Sequence, residues 1–346
     1  MKNYKLAVVG ATGVVGRTAL KVLEEKNLPI SEYAFFASKR SCGQKVSFLG
    51  KDYTIQELNE NSFDEHFDFA IFSAGSSTSE KYAPIAASKG CIVVDNSSCF
   101  RMDKDVPLVV PEVNPEDIKK NKGIIANPNC STIQAVVALK PLDDNFKIKR
   151  IVYSTYQAVS GAGRDGIYDL ENGIEHFQKG DNYINNTKST PYELKKFPYP
   201  IFNNCLPHID NFLDNGYTKE EMKMINETRK ILSRPNLPIT ATTVRVPVFN
   251  SHSESINVEF ENEFDLDELE DTLRSFSGVI VVDNIDSNKY PIATDCTGKN
   301  EVFVGRIRRD YSLNSGINLW VVADNIRKGA ATNAIQIVEK LIEFDK

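Results

Sequence analysis

The chain of 346 residues is longer than one hydrophobic core usually serves, so two domains are the first expectation. With 41% hydrophobic and 25% charged residues, it has the balance of a folded globular protein rather than a disordered or fibrous one. Lys and Arg number 41 against 47 Asp and Glu, which gives no support to a nucleic-acid or anionic-membrane partner but leaves room for a small anionic substrate held by local arginines.

The N-terminal MKNYKLAVVGATG runs into an apolar strand over 5–10 without the features of a secretory leader, so the expected location is the cytoplasm. No apolar stretch approaches the roughly 20 residues of a membrane-spanning helix. A helix over 17–27 follows, then strands over 33–38 and 67–75, a helix over 79–90, and strands over 91–98, 108–114 and 123–130. Apolar strands alternating with helices predict a parallel sheet covered on both faces. Beyond residue 150 the strands become longer and alternating, over 150–161, 240–250, 253–262, 301–310 and 317–325. With few helices between them, they predict a largely antiparallel sheet with one solvated or partner-facing side. The Asn-, Pro- and Lys-rich stretch 176–216 reads as an irregular excursion. An amphipathic C-terminal helix is expected to return to the first domain. The fold class is therefore α/β, with a Rossmann-like dinucleotide-binding domain over 1–129 plus 325–346 and an α+β domain over 130–324.

GATGVVG places Gly10, Gly13 and Gly16 where the first strand turns into the first helix. Glycine permits the tight turn and close approach to a pyrophosphate, and the helix N-terminus offers free N–H groups. The alternative is a tight turn that binds nothing. The second strand ends FFASKRSCG, without the acidic residue that holds an NAD ribose. Ser38, Lys39, Arg40 and Ser41 instead suit a 2′-phosphate and favour NADP, unless the Lys-Arg pair is simply solvated.

The six cysteines (42, 91, 99, 130, 205 and 296) lack C-x-x-C spacing, so reduced thiols and no metal are expected. Cys130 stands apart: NPNCST puts it between the strand GIIA and a helix-like run, where open amides would favour thiolate. The alternative is a buried packing cysteine, the reading given to the other five. A thiolate beside a nicotinamide implies aldehyde oxidation through an acyl-thioester. RVPVFNSHSES supplies Arg245 as an anion clamp and His252 as an acid–base candidate. His66 and His176 read as solvated in helix-like segments, and His208 is ambiguous.

These stretches, together with DNSSCFRMD, VPLVVPEVN, STYQAVSGAG, NNCLPHIDNF, YTKEEMKMINETRKIL and FVGRIRRD, strongly resemble the bacterial aspartate-β-semialdehyde dehydrogenase family across nearly the whole chain. The resemblance implies that 130–324 is the catalytic and dimerisation domain of a homodimer or homotetramer. It implies a cytoplasmic, metal-free, NADP-dependent enzyme interconverting L-aspartate 4-semialdehyde plus phosphate with L-4-aspartyl phosphate, for lysine, threonine and methionine synthesis. Cys130 would carry the acyl group, His252 handle the proton and Gln157 orient the intermediate. Arg245 would bind the substrate carboxylate and Glu220 its amino group, while Arg101 and Lys223 hold phosphate. For NADP it implies the turn of Gly10, Ala11, Thr12, Gly13, Val14 and Gly16, the loop Ser38–Ser41, and Ser160, Gly161 and Asn325. The rivals are reduction of an N-acetyl-glutamyl phosphate and a non-catalytic NADP sensor. An acetylated amine would have no use for Glu220, and a sensor none for the nucleophile and base.

Overall fold

Leu6, Ala7, Val8 and Val9 are fully buried in the first strand, β1 (Tyr4–Val9), of the computed structural model. Successive side chains of a strand point to opposite faces, so burial of four in a row requires cover on both sides. The structure describes residues 3–180 and 191–345. The chain divides into two units: residues 1–133, 230–233 and 327–346 form the first, and 134–229 and 234–326 the second.

In the first unit β1 is followed by α1 (Val14–Lys26), β2 (Ile30–Ala37), the hairpin of β3 (Lys45–Phe48) and β4 (Lys51–Thr54), and β5 (Gln56–Glu57). Next come β6 (Phe69–Phe72), α2 (Ser76–Ser88), β7 (Ile92–Asp95) and β8 (Ile124–Ala126). The order β5-β2-β1-β6-β7-β8 is parallel throughout. Leu6, Val8, Phe35 and Ile71 face one core with Leu23 of α1 and Ile335 and Val338 of the C-terminal helix, α8 (Thr332–Phe344). Ala7, Val9, Phe36 and Phe72 face the other, with Ala83 and Ala86 of α2.

The expected strand over 108–114 is absent, apart from a single bridge between Leu108 and Ala126. Pro111 has no N–H to give a ladder. The Asn114 side chain also takes the Val110 N–H at 2.9 Å and donates to the Leu108 carbonyl at 2.9 Å, which closes a turn instead.

The helix α3 (Cys130–Phe146) leads to β9 (Ile148–Gln157), α4 (Gly163–Gln178), α5 (Lys219–Ile231), β10 (Ile239–Arg245) and β11 (His252–Phe260). Then follow α6 (Leu266–Ser275), β12 (Val279–Val281), the short α7 (Ala293–Cys296), β13 (Val302–Arg309) and β14 (Gly316–Ala323). The second sheet has the order β10-β9-β11-β14-β13-β12. Its three central pairings are antiparallel and the two outer ones parallel. Burial alternates residue by residue along β11, as expected of a sheet with one covered face. The expected strand over 240–250 stops at Arg245; Val248 and Phe249 instead accept backbone bonds from Val159 and Ser160. Part of the excursion 176–216 is helical, because α4 runs to Gln178, and residues 181–190 lie outside the described residues.

Candidate active site

At the end of β1 the chain turns through Gly10, whose φ of 85° is open mainly to glycine. A Cβ on Gly10 would lie 2.6 Å from the Ser73 carbonyl oxygen, and one on Gly16 only 2.2 Å from the Gly10 oxygen. Gly13 is the N-cap of α1, so the helix opens directly onto the turn through Ala11, Thr12 and Val14. The Thr12 hydroxyl donates to Ser41 Oγ at 3.4 Å, which joins the turn to the loop after β2. In that loop Ser38, Lys39 and Arg40 are exposed and Ser41 is buried. The carboxyl ends of β1 and β2 thus gather every glycine-turn and loop residue expected at the cofactor, where parallel sheets bind ligands.

Cys130 is the first residue of α3, directly after the Asn127-Pro128-Asn129 turn. Asn129 Oδ1 accepts the Ser131 N–H at 3.0 Å and the Thr132 N–H at 3.4 Å, capping the helix beside the partly buried thiol. These two amides therefore serve the cap rather than facing the sulfur unpaired. Behind the thiol lies Gly329, where a Cβ would be 2.8 Å from that of Cys130. Arg101 is buried in the same unit. Its Nε donates to the Asn127 carbonyl at 3.0 Å and its Nη2 to the Asn96 carbonyl at 2.9 Å, so the backbone leading to Cys130 holds the guanidinium. Lys230 fixes the loop carrying Arg101 by donating to the carbonyls of Arg101, Asp103 and Val106 at 2.7–2.8 Å.

In the second unit, Gln157 ends β9, Arg245 ends β10 and His252 begins β11, three adjacent strands of one sheet. Arg245 is the direct register partner of Gln157. Gln157 Nε2 donates to Glu220 Oε1 at 3.1 Å, and its Oε1 accepts from the Thr155 hydroxyl at 3.3 Å. Arg245 Nη1 donates to the Ala158 carbonyl at 2.6 Å, while the Ala158 N–H donates to His252 Nδ1 at 3.0 Å. Gly161 covers this pair so closely that a Cβ would be 3.0 Å from Arg245 Nη1 and 3.2 Å from His252 Nε2. Asn325 bonds the Ser160 hydroxyl at 3.1 Å and accepts the Ser251 N–H at 2.9 Å. Lys223 binds Glu220 at 3.1 Å and Asp210 at 2.8 Å. Burial lowers its pKa, but the two carboxylates outweigh this and leave it above 10.5. The unit thus brings together Gln157, Ser160, Gly161, Glu220, Lys223, Arg245, His252 and Asn325, while Arg101 and Cys130 belong to the first.

The His252 ring is fully buried, and its pKa falls to about 3 through burial first and the Arg245 cation second, against an opposing pull from Glu220. Because Nδ1 accepts a backbone N–H, the neutral ring carries its proton on Nε2. Nε2 has no hydrogen-bond partner among the described residues. The site therefore presents an N–H donor beside Gly161.

The residue readings require three corrections. His66 is exposed but outside any helix, 3.6 Å from Asp68. His176 lies in α4 but is half-buried and stacks on Tyr192 at 5.1 Å, so it is not simply solvated; His208 stacks on Phe212 at 4.3 Å. Cys91 and Cys296 are packing residues, but Cys42 and Cys205 are exposed and Cys99 is partly so.

Two family profiles cover most of the chain. "Semialdehyde dehydrogenase, NAD binding domain" matches residues 5–121, and "Semialdehyde dehydrogenase, dimerisation domain" matches 139–328. The chain is 57% identical over 344 residues to the aspartate-semialdehyde dehydrogenase of Aquifex aeolicus, covering 99% of this chain and 98% of that protein. The chain belongs to the aspartate-semialdehyde dehydrogenase family. Two solved members extend the match. The Vibrio cholerae aspartate semialdehyde dehydrogenase II complexed with ASA is 47% identical with a TM-score of 0.93, over 99% of each chain. The Candida albicans aspartate semialdehyde dehydrogenase with NADP is 26% identical with a TM-score of 0.74, over 98% of each.

As an aspartate-semialdehyde dehydrogenase family member, the chain has a nicotinamide-dinucleotide-binding domain and a dimerisation domain. The glycine turn fits such a cofactor, since side chains at Gly10 and Gly16 would collide with the backbone and force apart the tight turn at the N-terminus of α1. Gly329, Asn127 and Lys230 escaped the sequence reading. The first Asn of NPNC was a visible signal for one of them, but nothing local marks the other two.

Proposed function

We propose that this chain is an NADP-dependent phosphorylating aldehyde dehydrogenase. It interconverts L-aspartate 4-semialdehyde, phosphate and NADP with L-4-aspartyl phosphate and NADPH, in the branch leading to lysine, threonine and methionine. One observation supports this reading above the others: a carboxylate (Glu220), a carboxamide (Gln157), a guanidinium (Arg245) and a neutral imidazole N–H (His252) converge in one buried cluster. An α-amino acid aldehyde carries the complementary groups. Arg245 would pair with its carboxylate, a planar match that lysine cannot reproduce. Glu220 would take its ammonium group, releasing part of its bond to Lys223, which is then available with Arg101 to hold phosphate.

The Cys130 thiolate adds to the aldehyde carbon and forms a hemithioacetal. His252 Nε2–H donates to the oxygen as charge develops there, and Gln157 fixes its orientation. Bound NADP supplies the two-electron acceptor. Oxidation leaves an acyl-thioester on Cys130. A phosphate oxygen attacks that carbonyl, the C–S bond breaks, and the thiolate is regenerated. The cofactor would be held by Gly10, Ala11, Thr12, Gly13, Val14 and Gly16, together with Ser160, Gly161 and Asn325.

The exposed Ser38, Lys39 and Arg40 and the absence of an acidic residue directly after β2 support a 2′-phosphate, hence NADP over NAD. The domains are proposed as 1–129 plus 325–346 for NADP and 130–324 for catalysis and dimerisation. The half-exposed face of the second sheet, where the Tyr156 and Trp320 rings pack with centroids 5.5 Å apart, supports a homodimer or a tetramer built from it. A cytoplasmic location accords with a chain whose described residues include no helix able to cross a membrane.

The test is NADPH formation, read by absorbance, from L-aspartate semialdehyde with and without phosphate, beside N-acetyl-glutamate semialdehyde and NAD. Phosphate-dependent signal with the free amino acid and NADP supports the proposal. Signal only from the acetylated substrate refutes it.

A further inference from the structure

The return segment after β14 carries a buried cation for which the chemistry above has no role. Lys328 is fully buried, and its Nζ donates to Glu112 Oε2 at 2.7 Å, Asn333 Oδ1 at 3.0 Å and Gln336 Oε1 at 2.7 Å. Three donated bonds use all three hydrogens of an ammonium group, so the side chain is held charged. Gln336 Nε2 completes the cage by donating to Glu112 Oε1 at 2.8 Å. Apolar residues of the same volume usually serve packing as well as a buried ion pair does, so the pair points to a role beyond stability.

That role is visible in the bonds that continue from it. Because Asn333 turns its carbonyl to the ammonium, its Nδ2 faces away and donates to Asn127 Oδ1 at 2.7 Å and to the Val109 carbonyl at 3.0 Å. Asn127 must then turn its own Nδ2 to Asn96 Oδ1, at 2.8 Å, and to the Ala330 carbonyl, at 3.3 Å. The main-chain carbonyls of the same two residues, Asn127 and Asn96, accept from Arg101. A carboxamide can flip end for end without changing shape, and the ammonium group at one end of this series acts together with the Val109 and Ala330 main-chain carbonyls to dictate which way each one points. The neighbouring Gly329 presses against Cys130, with its would-be Cβ 2.8 Å from that of Cys130.

We propose that Lys328 is a positioning residue: through Asn333 and Asn127 it sets the NPNC turn beneath Cys130 and the orientation of Arg101. The phosphate part of this inference rests on the reading of Arg101 given above, whereas the thiol part does not.

The experiment compares three variants. Glu112→Gln/Lys328→Met removes both charges together, so no unpaired ion is left buried. Asn333→Ser cuts the relay while leaving the ion pair intact. Arg101→Lys tests the phosphate reading alone. The relay predicts that the first two fold with unchanged KM for NADP, lose about tenfold or more in kcat, and alkylate Cys130 at altered rates, since small misplacements at a reacting centre are costly. It also predicts that combining them adds no further loss. Wild-type kcat and alkylation in folded Asn333→Ser protein would overturn the proposal, as would fully additive losses. If the first two variants raise KM for phosphate but Arg101→Lys does not, the Arg101 reading fails while the Cys130 relay stands.

Discussion

Consider His252→Gln, which removes an imidazole that burial holds neutral while leaving an acceptor for the Ala158 N–H. The folded ring has a pKa near 3, whereas an unfolded histidine titrates near 6.5. A depressed folded pKa contributes stability that is complete above the unfolded value and is lost as pH falls toward the folded one. Lowering the pH from about 7 to about 4.5 therefore costs the wild type about 2.5 kcal/mol through this residue alone. The assay is urea unfolding followed by circular dichroism at both pH values, for wild type and variant. The other titrating groups are shared, so they cancel in the difference of differences. The wild type should lose about 2.5 kcal/mol more than His252→Gln on acidification. Parallel losses would refute the buried neutral ring and, with it, the assignment of Nε2 as a fixed donor.

Glu254 makes the opposite case. It is fully buried, both its oxygens lack hydrogen-bond partners among the described residues, and burial raises its pKa well above the carboxylate range. A raised folded pKa means stability is lost as pH rises above the unfolded value near 4.5. Glu254→Gln should therefore be more stable than wild type at pH 8, with the gap closing toward pH 5, as thermal unfolding would read. Gly161→Ala inserts a methyl group 3.0–3.2 Å from Arg245 and His252, and should lower kcat/KM roughly ten- to a hundredfold with little change in Tm. Lys39→Ala/Arg40→Ala should raise KM for NADP several-fold and leave KM for NAD unchanged; equal effects on both would remove the 2′-phosphate assignment.

The cofactor half was the easier to read, because its determinants are local. Strand, glycine spacing and helix follow one another within β1 and α1, and glycine at 10 and 16 is forced by backbone distances. Segment 108–114 misled the reading because its apolar residues looked like a strand while Pro111 and Asn114 closed a turn. Helix α4 was legible only around His176, because Gly163, Gly166 and Gly173 depress helix propensity, although its other residues are amphipathic. Cys130, Arg245 and His252 were visible as residue types in suggestive settings. The tautomer of His252 was not, since the backbone N–H of Ala158, far away in sequence just past the end of β9, decides it. Nothing in the local RKGAA sequence marks Lys328 as buried, and its partner Glu112 lies 216 residues away. Contacts of that range are set by topology rather than by any local pattern.

The central claim is that Cys130 carries the substrate as an acyl-thioester. The most direct measurement mixes the enzyme with L-aspartate semialdehyde and NADP without phosphate, follows NADPH, and maps the protein by mass spectrometry. The account predicts a burst of one NADPH per active site, an aspartyl adduct on Cys130, its discharge on adding phosphate, and none of these in Cys130→Ala. A burst with no adduct on Cys130, or turnover by Cys130→Ala, would contradict it.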